Sequence, residues 1–257
     1  MLPTGGPMSD TLVSAHPDPR HLVASGGLPE PETASRRPLR ITIIDHHLLF
    51  ADSLALTLEQ EGYLATAIRF DPSDVSMAAV LAAALRSAGR LVLLEQDLGR
   101  VGDGIRLVAP LTASGASVVL LTESLDRALW GEALRQGAKH VLHKTCSVSE
   151  VAHTARRIHQ GLPLMPQAQR EALMAEALDR RDEEYLLRSR LARLTTCESE
   201  VLEALMKGAQ VREIARSRVV VEATVRSQIK SILAKLEMRS QVSVVCAAYR
   251  VGWQPRD

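Results

Sequence analysis

Asp45, His46, Glu95, Thr122 and Lys144 each stand at the end of a short apolar run or directly after one. Brought into one crevice, a pair of carboxylates, a hydroxyl and an ammonium could hold a phosphoryl group and a divalent ion. By position alone the same residues are equally the polar ends of an ordinary sheet edge. A second set lies towards the carboxyl end. Arg226, Ser227, Lys230 and Ser231 fall on one side of an amphipathic segment, and Val225, Ile229, Ile232, Leu233 and Leu236 on the other. Cations and hydroxyls at helical spacing can reach base edges and phosphates in a major groove.

The elements that must carry the first set alternate. Runs of buried-strand type occupy residues 41–45, 64–68, 91–95, 117–122 and 140–143, the second being the least regular. Helical segments are expected near 48–60, 74–88, 104–113, 125–136 and 148–160. Ser147 with Glu150 caps the last of these, and Gly161 and Pro163 stop it. Because parallel neighbours need crossover connections, the alternation predicts an α/β doubly wound sheet of five parallel strands. Ligands of such sheets gather at the carboxyl ends of the strands, where Asp45, His46, Glu95, Thr122 and Lys144 would meet.

The second set needs a helical scaffold. Val201, Leu202 and Leu205 form a stripe that breaks at Gly208, and Val211, Ile214 and Ala215 mark a short helix after it. Thr195 and Glu198 have the capping-box form at the start. Helix, turn, short helix, turn and helix predict a helix-turn-helix that offers residues 222–236 to DNA. Val221 stands where a capping side chain would serve the helix start. Residues 241–251 read as a last, apolar helix, with Cys246 as a small core residue. Residues 166–192, rich in Ala, Leu, Glu and Arg, predict one long helix with a stripe of Leu173, Ala177, Leu187 and Leu191.

Composition sets bounds. The chain has 257 residues, 46% hydrophobic and only 3% aromatic, room for two domains with aliphatic cores. A net charge of +1 gives no global basic field. The basic charge is local: Arg212, Arg216, Arg218, Arg226, Lys230, Lys235 and Arg239 outnumber Glu213, Glu222 and Glu237. Cys146, Cys197 and Cys246 have neither zinc-site nor disulfide spacing, which fits a reduced, cytoplasmic compartment. No apolar run approaches the roughly 20 residues that span a bilayer, and no signal peptide is legible. Residues 1–38, dense in Pro, Gly and Ser, are expected to be disordered.

The stretches IIDHHLLFADSL, LVLLEQDLGRVGDG, VVLLTES and VLHKT, followed by Leu194 to Leu236, resemble a response regulator of the LuxR/NarL family. The resemblance implies a non-enzymatic, DNA-binding regulator. Its fold would be a flavodoxin-like receiver domain (39–165), a helical linker (166–192) and an all-α, four-helix helix-turn-helix domain (193–257). It implies double-stranded DNA and a second copy of the chain as partners, and no membrane. Carried over by position, Arg226, Ser227, Lys230 and Ser231 face the groove, with Thr224, Gln228 and Lys235 towards phosphates.

In the receiver, Asp45, Thr122 and Lys144 match the family pattern. His46 stands at its second acidic position and Glu95 at its acceptor Asp; Val141 replaces an aromatic that many receivers carry. An imidazole is a poor substitute for a magnesium ligand, so no Mg2+ or other cofactor is expected. Glu95 adds a methylene, which moves its carboxylate by roughly 1.5 Å, enough to spoil in-line phosphoryl transfer. It could instead pair with Lys144 much as a phosphoryl oxygen would. The expectation is a transcription regulator whose receiver works without phosphorylation, in dimerisation or in sensing a small molecule held in the crevice. The alternatives are a conventional phosphorylated regulator, or an interaction protein that no longer binds DNA and sequesters related regulators.

Overall fold

The apolar runs become strands where both faces are covered. In the computed structural model, which describes residues 38–87 and 89–255, the first half alternates strand and helix. β1 (Arg40–Ile44), β2 (Leu64–Ile68), β3 (Leu91–Glu95), β4 (Ser117–Thr122) and β5 (His140–His143) form a parallel sheet in the order β2-β1-β3-β4-β5. The helices between and after them are α1 (Leu48–Gln60), α2 (Met77–Ser87), α3 (Ile105–Ala113), α4 (Arg127–Arg135) and α5 (Val148–His159). The strand order reverses between β1 and β3, which places the switch-point crevice beside Asp45 and Glu95.

Central strands are buried on both faces, so their side chains divide between two cores. Leu91 and Leu93 join Ile41, Ile43, Val119 and Leu121 under α1 and α5. Val92 and Leu94 join Ile44, Val118 and Leu120 under α2, α3 and α4. The edge strand β2 keeps an exposed face, which explains its irregular pattern in the sequence. α2 begins at Met77 rather than near residue 74, because Asp71 accepts hydrogen bonds from the Ser73 N–H and hydroxyl and holds that stretch in a turn.

The long helix exists as α6 (Gln167–Leu191), and its imperfect stripe has a physical cause. Leu173 and Ala177 pack on the receiver-like domain through α4, while Leu187 and Leu191 enter the core of the carboxyl-terminal helices. Gly131 of α4 makes the first contact possible. A Cβ there would lie 1.9 Å from the Leu173 carbonyl oxygen, so only glycine permits this backbone approach. Arg170 donates to the carbonyls of Leu134 (2.9 Å) and Ala138 (3.2 Å). Arg127 grips Glu176 with its Nη2 2.7 Å from Oε1, and Arg180 pairs with Asp126, the residue that caps α4.

The carboxyl-terminal domain consists of α7 (Thr196–Met206), α8 (Val211–Ser217), α9 (Glu222–Leu236) and α10 (Gln241–Arg250). Val201, Leu202, Ile214, Val225, Ile232, Leu236, Val244 and Ala248 form its core. The capping box of Thr195 and Glu198 is present. Cys246, expected in this core, is instead exposed on α10; Ala247 and Ala248 take the buried positions beside it. Among the described residues no helix is long and apolar enough to cross a membrane. The disorder expected for the amino-terminal segment falls almost wholly outside the described residues.

Candidate functional site

The crevice at the ends of β1, β3, β4 and β5 brings the sequence-predicted residues together. Asp45 follows β1 and is fully buried; Glu95 ends β3 and is also buried. Gly104 fixes the Glu95 backbone, since a Cβ at that position would come within 2.1 Å of the Glu95 carbonyl oxygen. The Lys144 N–H donates to the Thr122 carbonyl at 2.8 Å, extending the ladder between β4 and β5 and aiming the lysine across the strand ends. Its ammonium lies 2.8 Å from Asp45 Oδ2 and forms a close ion pair with Glu95 Oε2. Among the described residues neither of those oxygens has an aligned hydrogen-bond donor, so the contacts are ionic. The Phe50 ring closes over the ammonium at 4.8 Å from its centroid.

The other oxygen of each carboxylate is held by backbone. Glu95 Oε1 accepts from the Asp97 N–H at 3.2 Å. Asp45 Oδ1 accepts from the His47 N–H at 2.8 Å and lies 3.2 Å from His47 Nδ1. His46 Nδ1 is 3.9 Å from the same oxygen and is buried, without a hydrogen-bond partner among the described residues. The Thr122 hydroxyl donates to Gln96 Oε1 at 3.1 Å and accepts from the Ser124 N–H at 3.0 Å. Its proton is therefore engaged inside the protein. Asp97 is an exposed loop acid that accepts from the Gly99 N–H at 2.9 Å. His47, Gln96 and Phe50 were not singled out from the sequence. Each adjoins or follows a residue that was, but strand alternation gives no reason for neighbours to face one pocket, and the chain leaves strand geometry here.

The helix-turn-helix presents a divided face. Thr224, Arg226, Ser227 and Lys230 are exposed along α9, with Arg226 3.1 Å from Glu222 one turn back. Arg212 and Arg216 of α8 are exposed as well. Gln228 is half-buried and accepts from Arg218 at 3.4 Å, while Arg218 also donates to the Cys197 carbonyl at 2.8 Å. Ser231 and Lys235 turn towards α7: the Ser231 hydroxyl donates to Glu198 Oε1 and Lys235 to Glu198 Oε2, each at 2.6 Å. Burial alone would raise the Glu198 carboxyl. Hydrogen bonds from Lys235, Ser231 and Thr195 outweigh it and hold the group down at about 2. The structure thus places Ser231 and Lys235 in the bracing between α7 and α9, apart from the exposed groups.

The turn before α9 carries apolar side chains. Val219, Val220 and Val221 are all exposed, and Val219 has φ 54. The Val219 and Val220 N–H groups close α8 onto the carbonyls of Arg216 (3.2 Å) and Ala215 (2.9 Å), the Schellman pattern in which glycine usually takes the left-handed position. Val221 offers α9 no side-chain cap.

Residues 192–248 match the family described as bacterial regulatory proteins, luxR family. With the receiver-like sheet ahead of that domain, the chain joins a receiver-like α/β domain to a helix-turn-helix domain of the kind found in DNA-binding transcription regulators. It is 29% identical over 162 residues to the transcriptional regulatory protein LnrK of Bacillus subtilis (strain 168), covering 59% of this chain and 72% of LnrK. It is 27% identical over 150 residues to DesR of the same strain, covering 58% and 68%. Among solved structures it is similar to RcsB of Salmonella enterica serovar Typhimurium bound to a promoter, with 20% identity, a TM-score of 0.45 and coverage of 81% and 97%.

Proposed function

We propose that this DNA-binding transcription regulator works without phosphorylation of its receiver, whose crevice is held in one state by Lys144. The observation that carries the reading is the position of Lys144 between two buried carboxylates, 2.8 Å from Asp45 and in direct contact with Glu95. Glu95 already occupies the ammonium that would meet a phosphoryl oxygen. Two carboxylates against one ammonium also make the crevice repel an incoming phosphodonor. The Thr122 hydroxyl, engaged by Gln96, offers no donor to a new oxyanion.

The same donor set argues against Mg2+. That ion requires hard oxygen ligands in octahedral geometry, whereas His46 supplies nitrogen and Lys144 covers Asp45 Oδ2. The replacement pair His46→Asp with Glu95→Asp is expected to create Mg2+ binding that the natural chain lacks.

The receiver then acts as an association module for two copies of the chain, or responds to a ligand other than phosphate. Exposed Arg226, Ser227 and Lys230 are the groups assigned to the DNA groove, with Thr224 beside them at the phosphates. Their exposure favours DNA binding over a role confined to sequestering related regulators. Treatment with acetyl phosphate, or with beryllofluoride and Mg2+, tests the reading. Oligomeric state by light scattering and promoter affinity by gel shift are expected to stay unchanged; a several-fold shift in either would overturn phosphorylation independence.

A further inference from the structure

We propose that Asp45, His46 and His47 form a site for one divalent transition-metal ion of borderline softness, with Zn2+ as its reference occupant. The two oxygens of Asp45 are divided. Oδ2 faces Lys144 at 2.8 Å, and Oδ1 faces the imidazoles. His47 Nδ1 lies 3.2 Å from Oδ1 and His46 Nδ1 lies 3.9 Å from it, while the ligating atoms of all three residues fall within 4.8 Å of one another. Tetrahedral zinc with bonds of roughly 2.0–2.1 Å sets its ligand atoms about 3.4 Å apart. The two separations from Oδ1 bracket that value, and the imidazole nitrogens lie within 4.8 Å of each other, so ring movements of about 1 Å would close the set.

Three further features support a ligand there. His46 Nδ1 is buried with no hydrogen-bond partner among the described residues, a cost that a metal bond would remove. The His46 ring is confined by the loop after β3, where a Cβ added at Gly99 would stand 3.4 Å from its Cδ2. The rings of His46 and His47 are 3.8 Å apart between centroids and tilted, and both converge on Asp45 Oδ1. His47 is the more exposed, its side chain retaining 56% accessibility against 20% for His46, which leaves an entry path and room for water as a fourth ligand. Lys144 already neutralises the far side of Asp45, so the ion needs no change in the Lys144–Glu95 pair.

The choice of metal follows from the donors. Two imidazole nitrogens and one carboxylate suit Zn2+, Co2+, Ni2+ or Cu2+ and disfavour Mg2+ and Ca2+. This site therefore stands whether or not the receiver responds to phosphodonors.

The test uses the full chain, stripped with chelator. Titration calorimetry with Zn2+ and absorption titration with Co2+ are expected to show one ion per chain, with the strong visible bands of four-coordinate cobalt. His46→Gln and His47→Ala are each expected to weaken Co2+ binding by about 100-fold or more, since even the loss of an outer-shell partner costs 10–100-fold. His47 is exposed, so its replacement leaves the fold intact, and matching thermal melts of the metal-free proteins check this. His16→Ala with His21→Ala, and His143→Ala, are expected to bind as the natural chain does. Absence of one-to-one Zn2+ binding, unchanged affinity in both His46→Gln and His47→Ala, or displacement of Co2+ by Mg2+ at equal concentration would each overturn the proposal.

Discussion

The Ser231 hydroxyl donates to Glu198 Oε1 at 2.6 Å, joining the helix expected in the groove to the first helix of its scaffold. Lys235 donates to the other oxygen of the same carboxylate at 2.6 Å, and the Thr195 N–H to that oxygen at 2.7 Å. One buried carboxylate thus caps α7 and fixes the angle of α9. A group whose charged form accepts this many donors must stay ionised for the arrangement to hold.

That requirement makes the stability of the carboxyl-terminal domain depend on pH. The Glu198 carboxyl is lowered from 4.5 to about 2. A depressed carboxylate contributes stability that is complete above its unfolded value and is lost as the pH falls towards its folded one. Glu198→Gln is expected to cost about 2 kcal/mol at neutral pH, because it puts an amide against Lys235 and removes charge-assisted bonds. Urea unfolding of both proteins should show a constant gap down to about pH 4.5, narrowing towards pH 2. A gap that does not depend on pH would show that Glu198 acts through packing alone.

Exposure separates two kinds of residue on α9. Arg226→Ala and Lys230→Ala are expected to leave thermal stability within about 0.5 kcal/mol, as surface changes do. Each should lower the slope of log affinity against log salt by about 1 where it meets phosphate, or relax base preference by about 1–3 kcal/mol where it meets a base edge. Ser231→Ala should do the reverse, costing about 1 kcal/mol of stability with an unchanged salt slope. Equal salt slopes for all three variants and the natural chain would remove this face from the interface.

The turn between α8 and α9 is strained and uncapped. A β-branched residue in the left-handed region costs roughly 1–2 kcal/mol, and Val219 sits there with φ 54. Val219→Gly is expected to stabilise the domain by about 0.5–1 kcal/mol, the relief being partly offset by glycine's chain entropy. Val221→Ser restores a capping oxygen at the start of α9 and should add about 1 kcal/mol. Calorimetric melting of single and double variants checks both, and a double variant no more stable than the natural chain would contradict the strain argument.

Much of this was legible from spacing, and the exceptions have causes. Strands β1, β3 and β4 were evident because burial on both faces leaves an unbroken apolar run. The α6 stripe of Leu173, Ala177, Leu187 and Leu191 was readable too, and all four residues are buried. Its gap was not interpretable, because periodicity cannot say that one helix serves separate cores. Asp45, Glu95, Thr122 and Lys144 could be placed at one crevice because strand ends converge by topology. The engagement of Thr122 by Gln96, and of Ser231 and Lys235 by Glu198, depends on rotamers and on a partner 26 to 37 residues away. Cys246 was misplaced because an apolar helix with Val242 and Tyr249 exposed carries no clear face in its sequence.

Lys144 decides between a structural and a signalling crevice. As counter-ion to buried Asp45 and Glu95 it cannot be removed without leaving both carboxylates unpaired. Lys144→Met is therefore expected to destabilise the unmodified protein by about 3–5 kcal/mol. Combining it with Glu95→Gln removes one of the uncompensated charges and should recover a large part of that loss. A lysine held in reserve for a phosphoryl oxygen would behave differently: its removal would leave the unmodified chain near its natural stability, and Glu95→Gln would add nothing. Urea unfolding of the single and double variants, followed by a signal from the receiver-like domain such as Trp130 fluorescence, separates the cases. The sign of the coupling energy between positions 95 and 144 is the deciding quantity, since a rescue requires that each side chain be costly only when the other is absent.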